Sequence, residues 1–223
     1  MSHPGTRVFP RVEGTPSAIR ERFAHLPTAI LSDCMSRLTG TSGLSPIHGR
    51  KKLVGNAVTI KTRPGDNLII HQAIDLLKAG DVLVVDGGGC LDNALVGELL
   101  MLMAIEKGVT GFVMDAAVRD VAAFRDAAFP CFARGVTHRG PFKDGPGEVN
   151  VPITVDRMVV HPGDVVVGDE DGLVAIRPED AETVLAQAAL QAQKEAEIKA
   201  RILSHSYESE WLAPLLQQRG LKR

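Results

Sequence analysis

The side chains best suited to chemistry lie between Asp86 and Asp120 of this 223-residue chain. One apolar run ends at Asp86 and a second ends at Asp115, which is followed four residues later by the adjacent pair Arg119 and Asp120. A guanidinium can bind a carboxylate or an enolate oxygen, and a carboxylate with waters can bind Mg²⁺ or Mn²⁺. The pair predicts a site for an anion and a hard cation. In proteins generally, however, such a pair is more often an aspartate at the start of a helix beside a surface arginine.

The segment Gly-Glu-Leu-Leu at 97–100 precedes an apolar helical run and is a second candidate. If the helix starts at Gly97, the amides of Leu99 and Leu100 lack intrahelical acceptors and can bind an anion such as a carboxylate. A helix that starts at Asp92 or Asn93 would make both leucines ordinary core residues. The residues by themselves leave these alternatives evenly balanced.

Three consecutive glycines at 87–89 are a weaker signal. They do not form G-x-G-x-x-G, and no G-K-[ST] follows, so the run matches neither a dinucleotide fingerprint nor a P-loop. A turn at the end of a strand that needs positive φ accounts for them.

The hydrophobic pattern around these residues predicts an α/β scaffold. Strands alternate with helices in a βαβαβ order, which predicts a parallel sheet with right-handed crossovers and a ligand site at the carboxyl ends of its strands. The predicted strands are 53–62, 82–86, 111–115 and 130–133, and the predicted helices are 17–25, 28–38, 67–77, the run after 97, and one from 119.

The second half of the chain has a different pattern. Short apolar segments separated by Pro-Gly-Asp and Asp-Gly turns predict hairpins, in an antiparallel layer packed on the parallel one. These segments are 153–155, 158–160, 165–167 and 173–176. A long helix over 178–204 and a short one over 207–216 follow, and a helix of this length that leaves the main body predicts a homo-oligomer.

Composition excludes several classes of protein. The net charge of −2 gives no reason to expect nucleic acid or an anionic membrane as a partner. There is no apolar run of roughly 18 residues, and the N-terminus lacks a secretory signal. Cys34, Cys90 and Cys131 are too dispersed for a disulfide framework or a zinc ribbon. A cytoplasmic globular protein is the prediction.

The segments 97–100 and 111–120 resemble the RraA-like family. They are most similar to its class II pyruvate aldolases, the 4-hydroxy-4-methyl-2-oxoglutarate / 4-carboxy-4-hydroxy-2-oxoadipate aldolases. These aldolases carry an acidic residue, twenty intervening positions and then Arg-Asp, and twenty residues separate Glu98 from Arg119 here. The similarity extends from about Thr28 to Arg201 and includes the segments 64–67, 162–166 and 169–172.

The resemblance implies a role for each matching position. Asp120 would anchor Mg²⁺ or Mn²⁺, partly through waters, and Glu98 would be the second acidic residue near the metal, where many relatives have aspartate. Arg119 would hold the oxo group of the substrate. The amides of Leu99 and Leu100 would receive the substrate carboxylate, which favours the helix start at the preceding glycine.

Three further residues are lesser candidates. Glu195 matches an acidic residue that relatives insert into the site of a neighbouring subunit, and a solvated glutamate on the tail helix explains it about as well. Asp33 could orient a water. His71 is expected to pack or to cap its helix rather than to ligate a metal.

The resemblance also implies a fold and an assembly. The fold is a three-layer β/β/α arrangement of the swivelling-domain type, with mixed parallel and antiparallel sheets and a protruding C-terminal helix, in trimers that often pair as hexamers. The expected organisation is an N-terminal arm over 1–16, an RraA-like catalytic domain over 17–187, and a helical tail over 188–223 that packs on a neighbouring subunit.

The implied reaction is metal-dependent cleavage of a 4-hydroxy-2-oxo-dicarboxylic acid to pyruvate and a second oxo-acid. The metal and Arg119 would stabilise the pyruvate enolate, so no Schiff-base lysine is needed, and oxaloacetate would be decarboxylated through the same enolate. A water activated by the metal is one candidate for the general base. The alternative is a non-catalytic RraA-type regulator of ribonuclease E. A methyltransferase of menaquinone synthesis is disfavoured because no glycine-rich cofactor loop followed by an acidic ribose ligand is evident.

Overall fold

Ten strands form one eight-stranded mixed sheet and a separate two-stranded sheet in the computed structural model, which describes residues 3–221. The strands are β1 (Ser45–Pro46), β2 (Leu53–Thr62), β3 (Asp81–Ala94), β4 (Gly111–Val118), β5 (Cys131–Val136), β6 (Gly147–Val149), β7 (Ile153–Val155), β8 (Met158–Val160), β9 (Val165–Asp169) and β10 (Gly172–Ile176). The α-helices are α1 (Ser17–Arg20), α2 (Thr28–Cys34), α3 (Leu68–Ile74), α4 (Glu98–Glu106), α5 (Val121–Asp126), α6 (Ala181–Leu203) and α7 (Leu212–Gln218).

The centre of the large sheet is the predicted parallel unit. Strands β2, β3, β4 and β5 are parallel neighbours, and α3, α4 and α5 connect them. The expectation that both later hairpins form a separate layer is wrong for β9–β10. Strand β9 pairs antiparallel with the first part of β2, and β6 pairs with its last part, so the ten residues of β2 have two successive partners on one side.

Two apolar cores lie on opposite faces of this sheet and confirm the β/β/α order of layers. Helices α3, α4 and α5 cover one face, where Phe112 and Phe124 are fully buried. The β7–β8 hairpin covers the other face through Ile153, Val155 and Val160. A third core joins α2 and the start of α6 to β9 and β10.

The glycine triplet is not the loop that the sequence predicts. Strand β3 continues through it to Ala94, with two register shifts against β4. Gly88 and Gly89 have φ of +64° and +69°, so the predicted need for positive φ is met inside an irregular strand.

The C-terminal helix α6 leaves the body of the protein, as predicted. Its buried residues all lie between Ala181 and Ala188, and residues 193–203 are exposed throughout. Helix α7 begins at Leu212 rather than near residue 207, and no described helix is long and apolar enough to cross a membrane. The predicted arm (1–16) and tail (188–223) each include two residues outside the described range.

Candidate functional site

Asp120 lies at the carboxyl end of β4, two residues after the strand and immediately before α5. Its backbone is left-handed, with φ +56° and ψ +41°, a conformation that a short polar residue tolerates best among non-glycines. The Oδ2 atom accepts the backbone N–H of Glu98 at 3.0 Å. The other oxygen, Oδ1, has no hydrogen-bond partner among the described residues and is available to a ligand.

Arg119 and Gly97 complete the contacts of this carboxylate. The Nε atom of Arg119 is 3.6 Å from Asp120 Oδ2, and both side chains are a little over two-fifths exposed. A Cβ added at Gly97 would lie 2.3 Å from Asp120 Oδ2 and 3.0 Å from the Cγ of Arg119. Only glycine therefore leaves room for the carboxylate at this position.

Helix α4 begins at this contact. Gly97 is its N-cap and Glu98 its first residue, which confirms the helix start that favours anion binding. The amide of Glu98 is satisfied by Asp120, whereas the amides of Leu99 and Leu100 have no acceptor within residues 3–221. Both free donors lie in the positive first turn of a nine-residue helix.

A cavity of about 100 Å³ lies against these groups. Five of its lining residues are predicted site residues, and three polar and two apolar residues complete it. The lining consists of Asn67, His71, Leu95, Gly97, Leu99, Leu100, Arg119, Asp120, Pro141 and Lys143. The structure thus brings five of the predicted residues to one small cavity.

A buried carboxylate holds two walls of this cavity together. Asp66 has no exposed surface, and it accepts the amide of Leu68 at 2.9 Å and those of Asp144 and Gly145 at 2.7 and 3.0 Å. Burial raises the pKa of Asp66, but hydrogen bonds from the three amides and the charge of the Arg63 guanidinium together lower it by more than burial raises it. The pKa of Asp66 is therefore below its usual value. This cluster fixes residues 141–145 beside the start of α3.

Sequence reasoning missed Asn67 and Lys143 as residues of the cavity and expected His71 to pack or cap. Asn67 donates from Nδ2 to the Leu95 carbonyl at 2.9 Å, while its buried Oδ1 has no partner in the described part of the chain. Burial and then the Lys143 charge lower the pKa of His71. The one available signal was the i, i+4 spacing of Asn67 and His71, which places them one turn apart on the same side of α3.

Glu98, Glu195 and Asp33 do not line this cavity. The side chain of Glu98 is exposed and only its backbone takes part in the site. Glu195 lies on the exposed part of α6, where it accepts a hydrogen bond from Gln191 at 2.9 Å. Asp33, on α2, pairs at 2.7 Å with Arg37, three residues beyond the end of that helix. Burial, Asp33 and Glu195 together raise the pKa of the Cys34 thiol, which places Glu195 near α2 of its own subunit.

The donor set at Asp120 suits a weakly held, largely hydrated cation. No group of three or more His, Cys, Asp or Glu residues within 3–221 could hold a metal ion. One carboxylate with a free oxygen, in a half-exposed position, fits Mg²⁺ or Mn²⁺, because Mg²⁺ keeps several of its waters and needs few protein ligands. Zinc, which takes three or four side-chain ligands, does not fit.

Several known proteins are similar to this chain in sequence and in fold. A model of the RraA-like family, described as Aldolase/RraA, matches residues 28–175. A Halalkalibacterium halodurans protein provisionally named 4-hydroxy-4-methyl-2-oxoglutarate aldolase is 38% identical over 184 residues, 82% of this chain and 87% of that protein. An uncharacterised Pseudomonas syringae pv. tomato protein superposes with a TM-score of 0.80 at 27% identity, over 88% of this chain and 97% of that one.

The RNA-processing inhibitor RraA of Thermus thermophilus has the same fold. It superposes with a TM-score of 0.63 at 35% identity, over 67% of this chain and 92% of that one. The matched family segment, residues 28–175, includes α4, β4, Asp120 and all residues that line the cavity. The chain belongs to the RraA-like family.

Proposed function

We propose that this protein is a divalent-metal-dependent aldolase. Its substrate is a 4-hydroxy-2-oxo-dicarboxylic acid of the 4-hydroxy-4-methyl-2-oxoglutarate type, which it cleaves to pyruvate and a second oxo-acid. The observation that carries the proposal is the hydrogen bond between Asp120 and the Glu98 amide. That bond holds a carboxylate beside a helix start with two free amides and beside Arg119. The name of the H. halodurans relative supports the same reaction.

The substrate's C1 carboxylate is received by the amides of Leu99 and Leu100, whose donors are unoccupied. The guanidinium of Arg119 then lies beside the 2-oxo group. Cleavage of the bond between C3 and C4 leaves an enolate, and the negative charge develops on that oxygen. Fixed donors near the oxygen stabilise the transition state more than the ground state, which is what accelerates the step.

Asp120 is the residue that would hold the cation, through its free Oδ1. A bound Mg²⁺ or Mn²⁺ supplies a Lewis acid for the oxo group and the developing enolate. Glu98, one residue from the free amides, is the second acidic residue of this proposal. Its exposed side chain fits an indirect contact better than direct ligation.

In this proposal, Lys143 gives the cavity its preference for a dicarboxylic substrate. Its side chain lines the same small cavity as Arg119, so the cavity offers two cationic groups for two carboxylates and one oxo group. An anion of this kind is attracted by both charges, while a monocarboxylate leaves Lys143 without a partner. Oxaloacetate also has two carboxylates, and its decarboxylation passes through the same enolate.

The assembly we propose is a homotrimer or homohexamer in which Glu195 reaches the site of a neighbouring subunit. The support is the surface left uncovered in one chain. Ile198 and Ile202 are exposed one turn apart on α6, and α4 exposes Leu102 and Met103 beside the candidate site. Apolar surface of this kind on two helices is characteristic of protein–protein interfaces.

A second candidate function is an RraA-type regulator that binds a ribonuclease without catalysis. The likeness to the T. thermophilus RNA-processing inhibitor is the observation that favours it. The aldolase function has more support, because free amides, a guanidinium and a carboxylate around one small cavity are suited to binding a small anionic substrate.

Pyruvate release coupled to lactate dehydrogenase tests the proposal. The substrates are 4-hydroxy-4-methyl-2-oxoglutarate and oxaloacetate, each with Mg²⁺, with Mn²⁺ and with EDTA. We expect metal-dependent turnover that Asp120→Ala and Arg119→Ala each reduce by at least about 100-fold. Absence of pyruvate from both substrates, with the folded protein and metal present, would refute it and leave the regulator as the better candidate.

A further inference from the structure

A second cavity lies at the amino ends of the parallel strands, at the opposite end of the large sheet from the candidate site. It has a volume of about 470 Å³, and residues that directly precede three strands contribute to its lining. They are Lys52 before β2, Thr110 before β4 and Pro130 before β5. The 3-10 helix Glu21–His25 and Ile105, in the last turn of α4, complete the walls. The two cavities share no lining residue.

The floor of this second cavity is apolar and is held by backbone hydrogen bonds. Val109 and Phe129 are buried and form part of it, and Ile105 is an exposed apolar residue at its edge. The Gly80 amide donates to the Gly108 carbonyl at 3.0 Å, which joins the chain before β3 to the chain after α4. A cavity with a fixed apolar floor favours a ligand that has an apolar part.

The rim of the cavity carries an excess of positive charge. Its ionisable lining residues are Arg20, Lys51, Lys52 and Glu21, which are three cations and one anion. The ammonium of Lys52 lies 3.7 Å from Asp169, which compensates its charge. The side chains of Arg20 and Lys51 have no hydrogen-bond or ion-pair partner among residues 3–221. Two cationic groups are therefore available to an anionic ligand.

The guanidinium of Arg20 lies against Gly80. A Cβ added at Gly80 would lie 2.4 Å from Arg20 Nη2 and 2.8 Å from its Cζ, so only glycine lets the guanidinium approach the backbone this closely. Arg20 is half-buried, and it has no carboxylate within residues 3–221 to compensate for the water that it loses. A partly buried charge without a counterion is unfavourable, so an anion that pairs with it gains free energy.

We propose that this cavity is a second binding site, whose ligand is a carboxylate with an apolar or aromatic body. The carboxylate pairs with the guanidinium of Arg20 and the ammonium of Lys51, and the body packs on Val109 and Phe129. A small polar anion would leave the apolar floor uncovered, and a neutral apolar molecule would leave the guanidinium unpaired. The inference goes beyond the aldolase function and does not depend on it.

Benzoate is a simple probe with both features, and calorimetry on the full-length protein measures its affinity. Acetate lacks the apolar body, and benzyl alcohol lacks the charge. Arg20→Met removes the charge and keeps an unbranched apolar chain, while Ala24→Phe fills the cavity from an exposed position on its wall. Arg22→Met, at an exposed arginine that does not line the cavity, is the matched control.

We expect benzoate to bind with a Kd of about 1 mM or below, and acetate and benzyl alcohol to bind at least about tenfold more weakly. Arg20→Met and Ala24→Phe should each weaken benzoate binding by about tenfold or more, whereas Arg22→Met should change it less than about twofold. No detectable binding by the wild type would overturn the inference. Wild-type affinity in either the Arg20→Met or the Ala24→Phe protein would also overturn it.

Arg119→Ala separates this cavity from the candidate site, because a carboxylate can also bind at the start of α4. Benzoate affinity should stay within about twofold of wild type in that variant, since Arg119 does not line the second cavity. Loss of benzoate binding in Arg119→Ala, with binding retained in Arg20→Met, would place the probe at the candidate site and refute a second site.

Discussion

Replacing Gly97 by alanine tests whether the contact between α4 and Asp120 sets the geometry of the site. The new Cβ would lie 2.3 Å from Asp120 Oδ2, whereas an ordinary contact needs about 3.4 Å. The carboxylate or the helix start must therefore move by about 1 Å. A displacement of that size in a catalytic group reduces the rate by about 100-fold.

The fold should tolerate this change. The φ of Gly97 is −151°, an extended conformation open to any residue, so the backbone is not strained by a side chain. Alanine is a poorer N-cap than glycine, which lowers the free energy of unfolding by about 1 kcal/mol or less. We therefore expect kcat/KM for pyruvate release to fall about 100-fold, while urea unfolding shifts little.

Gly140→Ala is the matched control for Gly97→Ala. A Cβ there meets only the flexible end of Arg119, at 3.2 Å from its Nη1 atom, and should lower kcat/KM less than fivefold, or about 1 kcal/mol. Full activity in the Gly97→Ala protein would show that the position of the Asp120 carboxylate does not control the reaction. A large loss in both variants would show that crowding of Arg119, rather than displacement of Asp120, is the sensitive step.

Three other substitutions or conditions have defined outcomes. Asp66→Asn should lower the free energy of unfolding at pH 7 by about 1–3 kcal/mol. Because the folded pKa of Asp66 is depressed, that difference is present above about pH 4 and shrinks as the pH falls through the folded pKa, which urea unfolding at pH 7 and pH 3 can check. Arg134→Ala leaves the carboxylate of Asp115, 8% exposed, without its counterion and should cost about 3 kcal/mol in urea unfolding; Arg134→Lys should restore part of it. Truncation after Ser204 removes α7 but keeps the exposed apolar residues of α6 and α4, so the oligomer size measured by light scattering should not change; a smaller particle would show that α7 forms part of the interface.

The parallel core was predictable because the local hydrophobic pattern of each segment indicates the same element that the fold requires there. Strand β2 has the predicted bounds, and the order β2–β3–β4–β5 follows from alternating apolar runs and helices. The extension of β3 through three glycines was not predictable, because it depends on irregular pairing with β4 rather than on local propensity. The position of β9 beside β2 likewise depends on a contact between distant segments.

The site divides in the same way. The residues near Asp120 and Gly97 could be predicted because each lies next to an element boundary that the local sequence pattern indicates, the end of β4 and the start of α4. Lys143 could not, because residues 141–145 are held at the cavity by tertiary contacts, namely the Asp66 carboxylate and the backbone hydrogen bonds of Phe142 to the segment 65–67. The sequence placed His71 in a helix, but no pattern in it indicated which side of α3 would line the cavity. Glu195 stays a prediction, since a single chain does not place it at a site.

The cluster around Asp66 has a consequence for how molecules enter and leave. Moving residues 141–145 away from the cavity would break two hydrogen bonds to a fully buried carboxylate and leave its charge poorly compensated. This segment is therefore a fixed wall rather than a lid. Substrate and product should therefore enter and leave without a movement of residues 141–145, and the opening of that segment should not limit the turnover rate.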